Sequence, residues 1–333
     1  MRSMRLICCG EALALTERAA LQAAPHQVVI RVAACGVCHS DVHIVDGELK
    51  TALPVTPGHE VVGIVTSVGS EVTSLKLGDR VGVPWIQSTC GTCEFCLGGA
   101  EQLCPQQQVT GFTVDGGYAD ELVAPASHVV RLPDALTFAE AAPLLCAGLT
   151  VYKALKSSGL RAGERLAVFG IGGLGHLAVQ IGRHMGAEVV AVDLDEAKLA
   201  LARECGAHTV INSTVEPADK VLRKLGGAHV ALVAAASRAA FETALRGVRP
   251  RGTLMGVGLP NEAVQINMGA LAAREVRVHA SSVGTRQDLR ALLALAAAGQ
   301  VRCRVTQRPL LEANLALEDL RAGRVLGRLV LVP

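Results

Sequence analysis

The chain has 333 residues, half of them hydrophobic and 19% charged, with a formal net charge of +2. That length predicts about two domains of ~150 residues each, with cores large enough to need no disulfide staples. The composition excludes a disordered tail or a collagen-like fibre, and so small a net charge excludes the electrostatic footprint of a nucleic-acid binder. Small molecules and further copies of the chain are the expected partners.

The most apolar stretch, Leu166 to Gly182, is interrupted by glycines, His176 and Gln180 and falls short of the ~20 residues a membrane span needs. Met1-Arg2-Ser3-Met4-Arg5 leads only into a short apolar patch, so no secretion signal is read and a reducing cytoplasm is expected. The odd number of cysteines, 11, fits that setting.

In chain order, short strands are predicted at Gln27 to Val32, Val61 to Val68, Arg80 to Pro84 and Glu121 to Arg131, separated by turn residues. From Thr137 onward strands and helices alternate, with strands at Leu166 to Phe169, Glu188 to Val192, Thr209 to Ile211, His229 to Ala234, Gly252 to Val257 and Arg277 to Ala280. A helix is predicted from His176 to Met185. Apolar runs of this kind with helices between them imply a doubly wound parallel sheet. The tail carries a helix pattern, Leu289 to Ala298, then strands ending in Gly327-Arg328-Leu329-Val330-Leu331 that return to the first lobe.

Cys90, Cys93, Cys96 and Cys104 lie close together among turn-forming residues. Four such thiolates can surround one Zn²⁺ tetrahedrally and leave no position for water, the mark of a structural site; the set also suits an iron–sulfur cluster. Cys35 and Cys38, taken alone, read as a redox pair. With Pro57-Gly58-His59-Glu60 and the distant Cys146, the segment instead offers the mixed sulfur and nitrogen ligands of a catalytic zinc with one open position.

Leu166-Ala167-Val168-Phe169 runs into Gly170-Ile171-Gly172-Gly173-Leu174-Gly175, and an acid, Asp193, ends the next strand about 20 residues on, the dinucleotide-binding pattern. Gly170 suits the tight turn. Gly172, Gly173 and Leu174 lie where the backbone meets the pyrophosphate, and Gly175 suits close packing of helix on strand. Asp193 is placed to accept hydrogen bonds from a ribose and to repel a 2′-phosphate, which favours NAD over NADP.

Together these motifs resemble the zinc-dependent medium-chain alcohol dehydrogenases over essentially the whole chain, particularly the tetrameric bacterial and yeast type. The resemblance implies a β-rich, GroES-like catalytic domain of residues 1–147, completed by 287–333, and a Rossmann domain of 148–286. It makes Cys38, His59 and Cys146 the catalytic zinc ligands, with Glu60 behind the metal and able to coordinate it, and leaves Cys35 an ordinary thiol. It assigns Asp41 to orienting His59, and Ser40 and His43 to the two ends of a proton relay. His39 and Arg328 then contact the pyrophosphate, Lys198 the adenosine ribose and Thr150 the nicotinamide side.

Ser40, Leu49 and Trp85 would line the alcohol pocket. Leu49 falls where yeast-type enzymes carry tryptophan, which implies a deeper pocket for medium-chain or aromatic primary alcohols and their aldehydes. The expected cofactors are NAD and two Zn²⁺ per chain, in a cytoplasmic homotetramer. The competing expectation is an NADP-linked, cinnamyl-alcohol-type reductase.

Overall fold

In the computed structural model, which describes residues 1–333, the apolar run that starts at Gln27 forms an 11-residue strand, Gln27–Val37. It lies near the middle of a seven-stranded sheet. Glu60–Val68 pairs with it antiparallel on one side and Arg328–Val332 on the other, so the C-terminal segment does join the first lobe. Val28, Ile30, Val61, Tyr118, Leu329 and Leu331 belong to the core beneath this sheet.

The stretch Glu121 to Arg131 is not one strand. Glu121–Pro125 pairs with Gln27–Val37 up to the contact of Pro125 with Gln27, where the partner strand begins. Pro125 also has no N–H to continue a ladder. A 3-10 turn, Ala126–His128, follows, and Val130–Arg131 joins Arg80–Val83 instead.

Arg165–Phe169, Glu188–Asp193, Thr209–Asn212, Ala228–Val233, Val248–Gly256 and Arg277–Ala280 form a six-stranded, wholly parallel sheet. Numbered along the chain, they lie in the spatial order 3-2-1-4-5-6 of a Rossmann fold. Ala167, Val190, Ala231 and Val233 are fully buried within it, as expected for strands covered on both faces. The expected helix His176 to Met185 is Gly175–His184, and Leu289 to Ala298 is Arg286–Ala297.

The chain divides into two units: Met1–Cys146 with Gly284–Ala298 and Cys303–Pro333, and Ala147–Val283 with Gly299–Arg302. No single helix is long and apolar enough to cross a membrane.

Candidate active site

The segment after Gln27–Val37 turns at once into a helix, His39–Val45, with Cys38 at its N-cap. Asp41 stands at the third helical position, where its carboxylate accepts the Cys38 backbone N–H at 2.9 Å, half of a capping box. The same carboxylate accepts the Gly58 N–H, His59 Nδ1 and the Tyr118 hydroxyl, each at 3.1 Å. A local helix-starting contact thereby fixes Asp41 as the hub between two distant loops. With Nδ1 committed to Asp41, Nε2 is the imidazole nitrogen left to act as a ligand. His59 Nε2 is buried and has no hydrogen-bond partner.

Around that nitrogen the ligand atoms of Cys38, His59, Glu60 and Cys146 all lie within 4.8 Å of one another. Cys38, His59 and Glu60 are buried and Cys146 is half-buried. Glu60 pairs with the buried Arg328 through Oε1, while its Oε2 has no partner. Room for this carboxylate comes from Gly36, directly opposite in the sheet, where a Cβ would stand 1.7 Å from Oε2.

The electrostatics follow from this crowding. Cys146, working against burial and helped by the adjacent His59 imidazole, holds the Cys38 thiol well below its usual range. Burial alone would lower the His59 imidazolium, but the Asp41 carboxylate outweighs it and holds the group well above the ordinary histidine value. Burial pushes the Glu60 carboxyl up to about 7, against the pull of Arg328. A thiol held low, an unpartnered imidazole nitrogen and an unpartnered carboxylate oxygen, all buried at one point, fit a divalent metal of zinc's ligand preference.

Cys90, Cys93, Cys96 and Cys104 likewise bring their sulfurs within 4.8 Å of one another. The loop donates to them: the Cys90 N–H to Cys104 Sγ at 3.4 Å and the Cys93 N–H to Cys90 Sγ at 3.3 Å. Backbone N–H groups of Thr92 and Cys93 bring the Cys90 thiol down to about 6. This site has only sulfur ligands and no remaining position, which suits a structural zinc.

Ser40 Oγ lies 3.9 Å from Cys38 Sγ. His43 lies further along the same helix, with Nδ1 2.6 Å from Glu48 Oε2, a partner the sequence did not suggest. Trp85 stands edge-on to His59 with ring centroids 4.7 Å apart, and is stacked on Phe112. Leu49 is half-buried and packs against the core of its own unit. His39, the first residue of the helix, is exposed. Arg328 is buried in its pairing with Glu60, a connection that no local motif signals.

In the second unit Gly170 has φ +87° at the strand-to-helix turn, and a Cβ on Gly175 would stand 1.9 Å from Gly170 O. A Cβ on Gly172 would meet nothing within 4 Å, leaving the backbone open to a ligand. Gly173 and Leu174 complete the turn, Leu174 as the N-cap of Gly175–His184, and no side chain caps that helix; its first amides suit a pyrophosphate. Asp193 accepts from the N–H groups of Ile171 (2.6 Å), Leu194 (2.7 Å) and Asp195 (3.2 Å), which fixes its carboxylate at the strand end. Lys198 lies on the helix Glu196–Glu204, and Thr150 on Ala147–Ser157; both are half-buried.

Comparison with known proteins agrees with this geometry. Residues 24–134 match the family model for an alcohol dehydrogenase GroES-like domain, and residues 173–298 that for a zinc-binding dehydrogenase. An alcohol dehydrogenase of Geobacillus stearothermophilus is 47% identical over 308 residues, 92% of this chain and 91% of that protein. The crystal structure of the alcohol dehydrogenase from the archaeon Aeropyrum pernix superposes with a TM-score of 0.93 at 34% identity, covering 100% of both chains. A cobalt- and zinc-bound alcohol dehydrogenase from Pyrobaculum aerophilum gives 0.91 at 28% identity, covering 100% of this chain and 99% of that one. The chain belongs to the zinc-dependent medium-chain alcohol dehydrogenases, enzymes that act on alcohols and aldehydes with zinc and a nicotinamide dinucleotide as cofactors.

Proposed function

We propose that this dehydrogenase uses NAD, holds two zinc ions per chain and acts best on medium-chain or aromatic primary alcohols and their aldehydes. The observation that carries the reading is the buried, unpartnered His59 Nε2 among Cys38, Cys146 and Glu60. Cys38, His59 and Cys146 would hold the catalytic ion, with Glu60 as an occasional fourth donor. Cys90, Cys93, Cys96 and Cys104 would hold the structural one. Held there, zinc would supply the Lewis acid that lowers the pKa of the alcohol, and the nicotinamide cofactor would supply the hydride acceptor.

The chain's own residues do the rest. Asp41 orients His59, and Ser40 Oγ takes the alcohol proton. As Ser40 accepts that proton its own hydroxyl proton leaves toward the surface, where His43, held at Nδ1 by Glu48, would take it up at Nε2 and return it to water. Trp85 and Leu49 wall the substrate site. Gly170, Gly172, Gly173, Leu174 and Gly175 bind the pyrophosphate with help from His39 and Arg328. Asp193 and Lys198 hold the adenosine ribose, and Thr150 lies on the nicotinamide side. Residues 1–147 and 287–333 form the catalytic domain and 148–286 the cofactor domain, in a cytoplasmic homotetramer like the yeast-type enzymes this chain resembles.

The test is a rate assay of the zinc-loaded enzyme with NAD and with NADP over ethanol, hexanol and benzyl alcohol. The reading requires a preference for NAD and for the two larger alcohols; preference for NADP returns the chain to the cinnamyl-alcohol-type reading.

A further inference from the structure

A cavity of about 550 Å³ lies at the amino ends of strands in the six-stranded sheet. Its walls include Glu164, just ahead of Arg165–Phe169, the Arg249 to Thr253 stretch of Val248–Gly256, and Arg277 at the start of the next strand. Because all six strands are parallel, Gly170 and Asp193 sit at the opposite, carboxyl ends. The cavity is therefore not the dinucleotide site.

Its charge is uneven. Arg161, Arg249, Arg251 and Arg277 line it, against two acids, Glu164 and Glu275. Glu275 is engaged by Arg251 at 3.4 Å, and Glu164 accepts the Arg161 backbone N–H at 2.9 Å. His229 adds no positive charge: burial, then Arg249, lowers its pKa, and its Nδ1 accepts the Arg165 N–H at 3.0 Å. Three exposed guanidinium groups, those of Arg161, Arg249 and Arg277, are left with no acid paired to them, Arg249 facing only His229 Nε2.

Two further observations point to a ligand. Thr253 is 3% exposed and lies in the cavity wall, and its buried hydroxyl has no hydrogen-bond partner within the protein, a donor left unsatisfied. Arg251 (φ 61°) and Glu275 (φ 50°), the two non-glycine residues of the chain in the left-handed region, both belong to its wall. Backbone strain of this kind collects at ligand sites.

We propose that this cavity binds a small phosphate-bearing anion. Guanidinium forks and a neutral hydroxyl are the donors a tetrahedral phosphate takes. The surplus of two positive charges matches a phosphate dianion. The volume falls within the ~300–1,000 Å³ of small-molecule sites, more than a bare ion fills, so there is room for a nucleoside or sugar attached to the phosphate.

Isothermal titration calorimetry tests this on zinc-loaded enzyme saturated with its nicotinamide cofactor, so that the dinucleotide site is closed to the probes. The probes are inorganic phosphate and AMP. One site per chain is expected, weakened at least tenfold by Arg161→Ala combined with Arg277→Ala. Thr253→Val is expected to weaken binding several-fold while raising the unfolding temperature, and serves independently should the double variant fold poorly. Tighter binding of AMP would mark an organic phosphate; binding of phosphate alone would mark the bare ion. Absence of binding by both probes, or binding unchanged in these variants, overturns the proposal.

Discussion

Glu60 and Arg328, 268 positions apart in the chain, form an ion pair in which neither side chain is more than 4% exposed. Removing one member of such a pair leaves an uncompensated charge inside the protein. Arg328→Leu is expected to cost about 3–5 kcal/mol of unfolding free energy at pH 8, read from urea titration of chelator-treated protein. Burial already holds the Glu60 carboxyl near 7 against a usual 4.5, and loss of Arg328 raises it further. The native chain then binds more protons than the unfolded one, so the variant loses stability as pH rises through this range and recovers part of it at pH 6. Equal losses at pH 6 and pH 8 would exclude Glu60 as the group left unpaired by the substitution.

The two metal sites separate by what their removal does. Cys38→Ser or His59→Ala should bring zinc toward one per chain and abolish turnover in a folded protein. Cys93→Ser should also lose one zinc but mainly lower the unfolding temperature, because Cys90, Cys96 and Cys104 then no longer close their loop around an ion. Metal analysis beside thermal unfolding decides it; one zinc in the active wild type would refute the assignment of the cysteine loop.

Asp193→Gly should relax cofactor choice. The substitution removes the carboxylate and releases the N–H groups of Leu194 and Asp195, which it now occupies, as donors for a 2′-phosphate. The ratio of kcat/KM for NAD over NADP is expected to fall at least tenfold. An unchanged ratio would move discrimination to Lys198 or its neighbours.

Leu49→Trp separates pocket from packing. If Leu49 walls the substrate site, kcat/KM for hexanol and benzyl alcohol should drop relative to ethanol, by roughly 1–3 kcal/mol of transition-state binding per excluded group. An equal drop for all three alcohols with a lowered unfolding temperature would give Leu49 only the core contact it makes in its own unit.

His128 supplies a pH test outside the metal sites. Burial, then the Arg286 charge, lowers its pKa to about 4, and its ring nitrogens are engaged by Thr89 (3.1 Å) and Ser127 (2.9 Å). A depressed histidine pKa leaves stability intact above about 6.5 and removes it as pH falls toward 4, by up to ~3 kcal/mol. His128→Gln should flatten that acid limb in unfolding curves taken between pH 7 and 4, and an unaltered slope would count against it.

The buried strands were legible because continuous apolar runs bounded by glycine leave few alternatives, as at Leu166 to Phe169 and Glu188 to Val192. The metal-ligand candidates were legible because cysteine and histidine carry their chemistry in their type. What sequence could not reveal was the support around them. Nothing near Tyr118 marks it as a donor to Asp41, nothing near Gly36 marks it as space for Glu60, and Arg328, read as a pyrophosphate contact, shows no sign of its pairing with Glu60 until its strand is seated beside Gln27–Val37. The short helix His39–Val45 was also missed: its start depends on the exchange between Cys38 and Asp41, while its sequence gives only two turns of weak periodicity. Glu121 to Arg131 read as one strand because its apolar alternation continues past the point where its partner runs out.

Arg328–Val332 fills the sheet position beside Gln27–Val37, with Val330 opposite Gly36 and Leu331 opposite Cys35. On the ribosome, therefore, a strand made near the beginning waits for one made near the end. The six parallel strands of the other sheet run consecutively from Arg165 to Ala280 and have every partner well before that. Throughout the interval the nascent chain carries Glu60 without its guanidinium and, beyond the Gln27 to Arg31 stretch that Glu121–Pro125 covers, the Cys35 to Val37 end of that strand with a bare edge, open to the same edge on a neighbouring nascent chain.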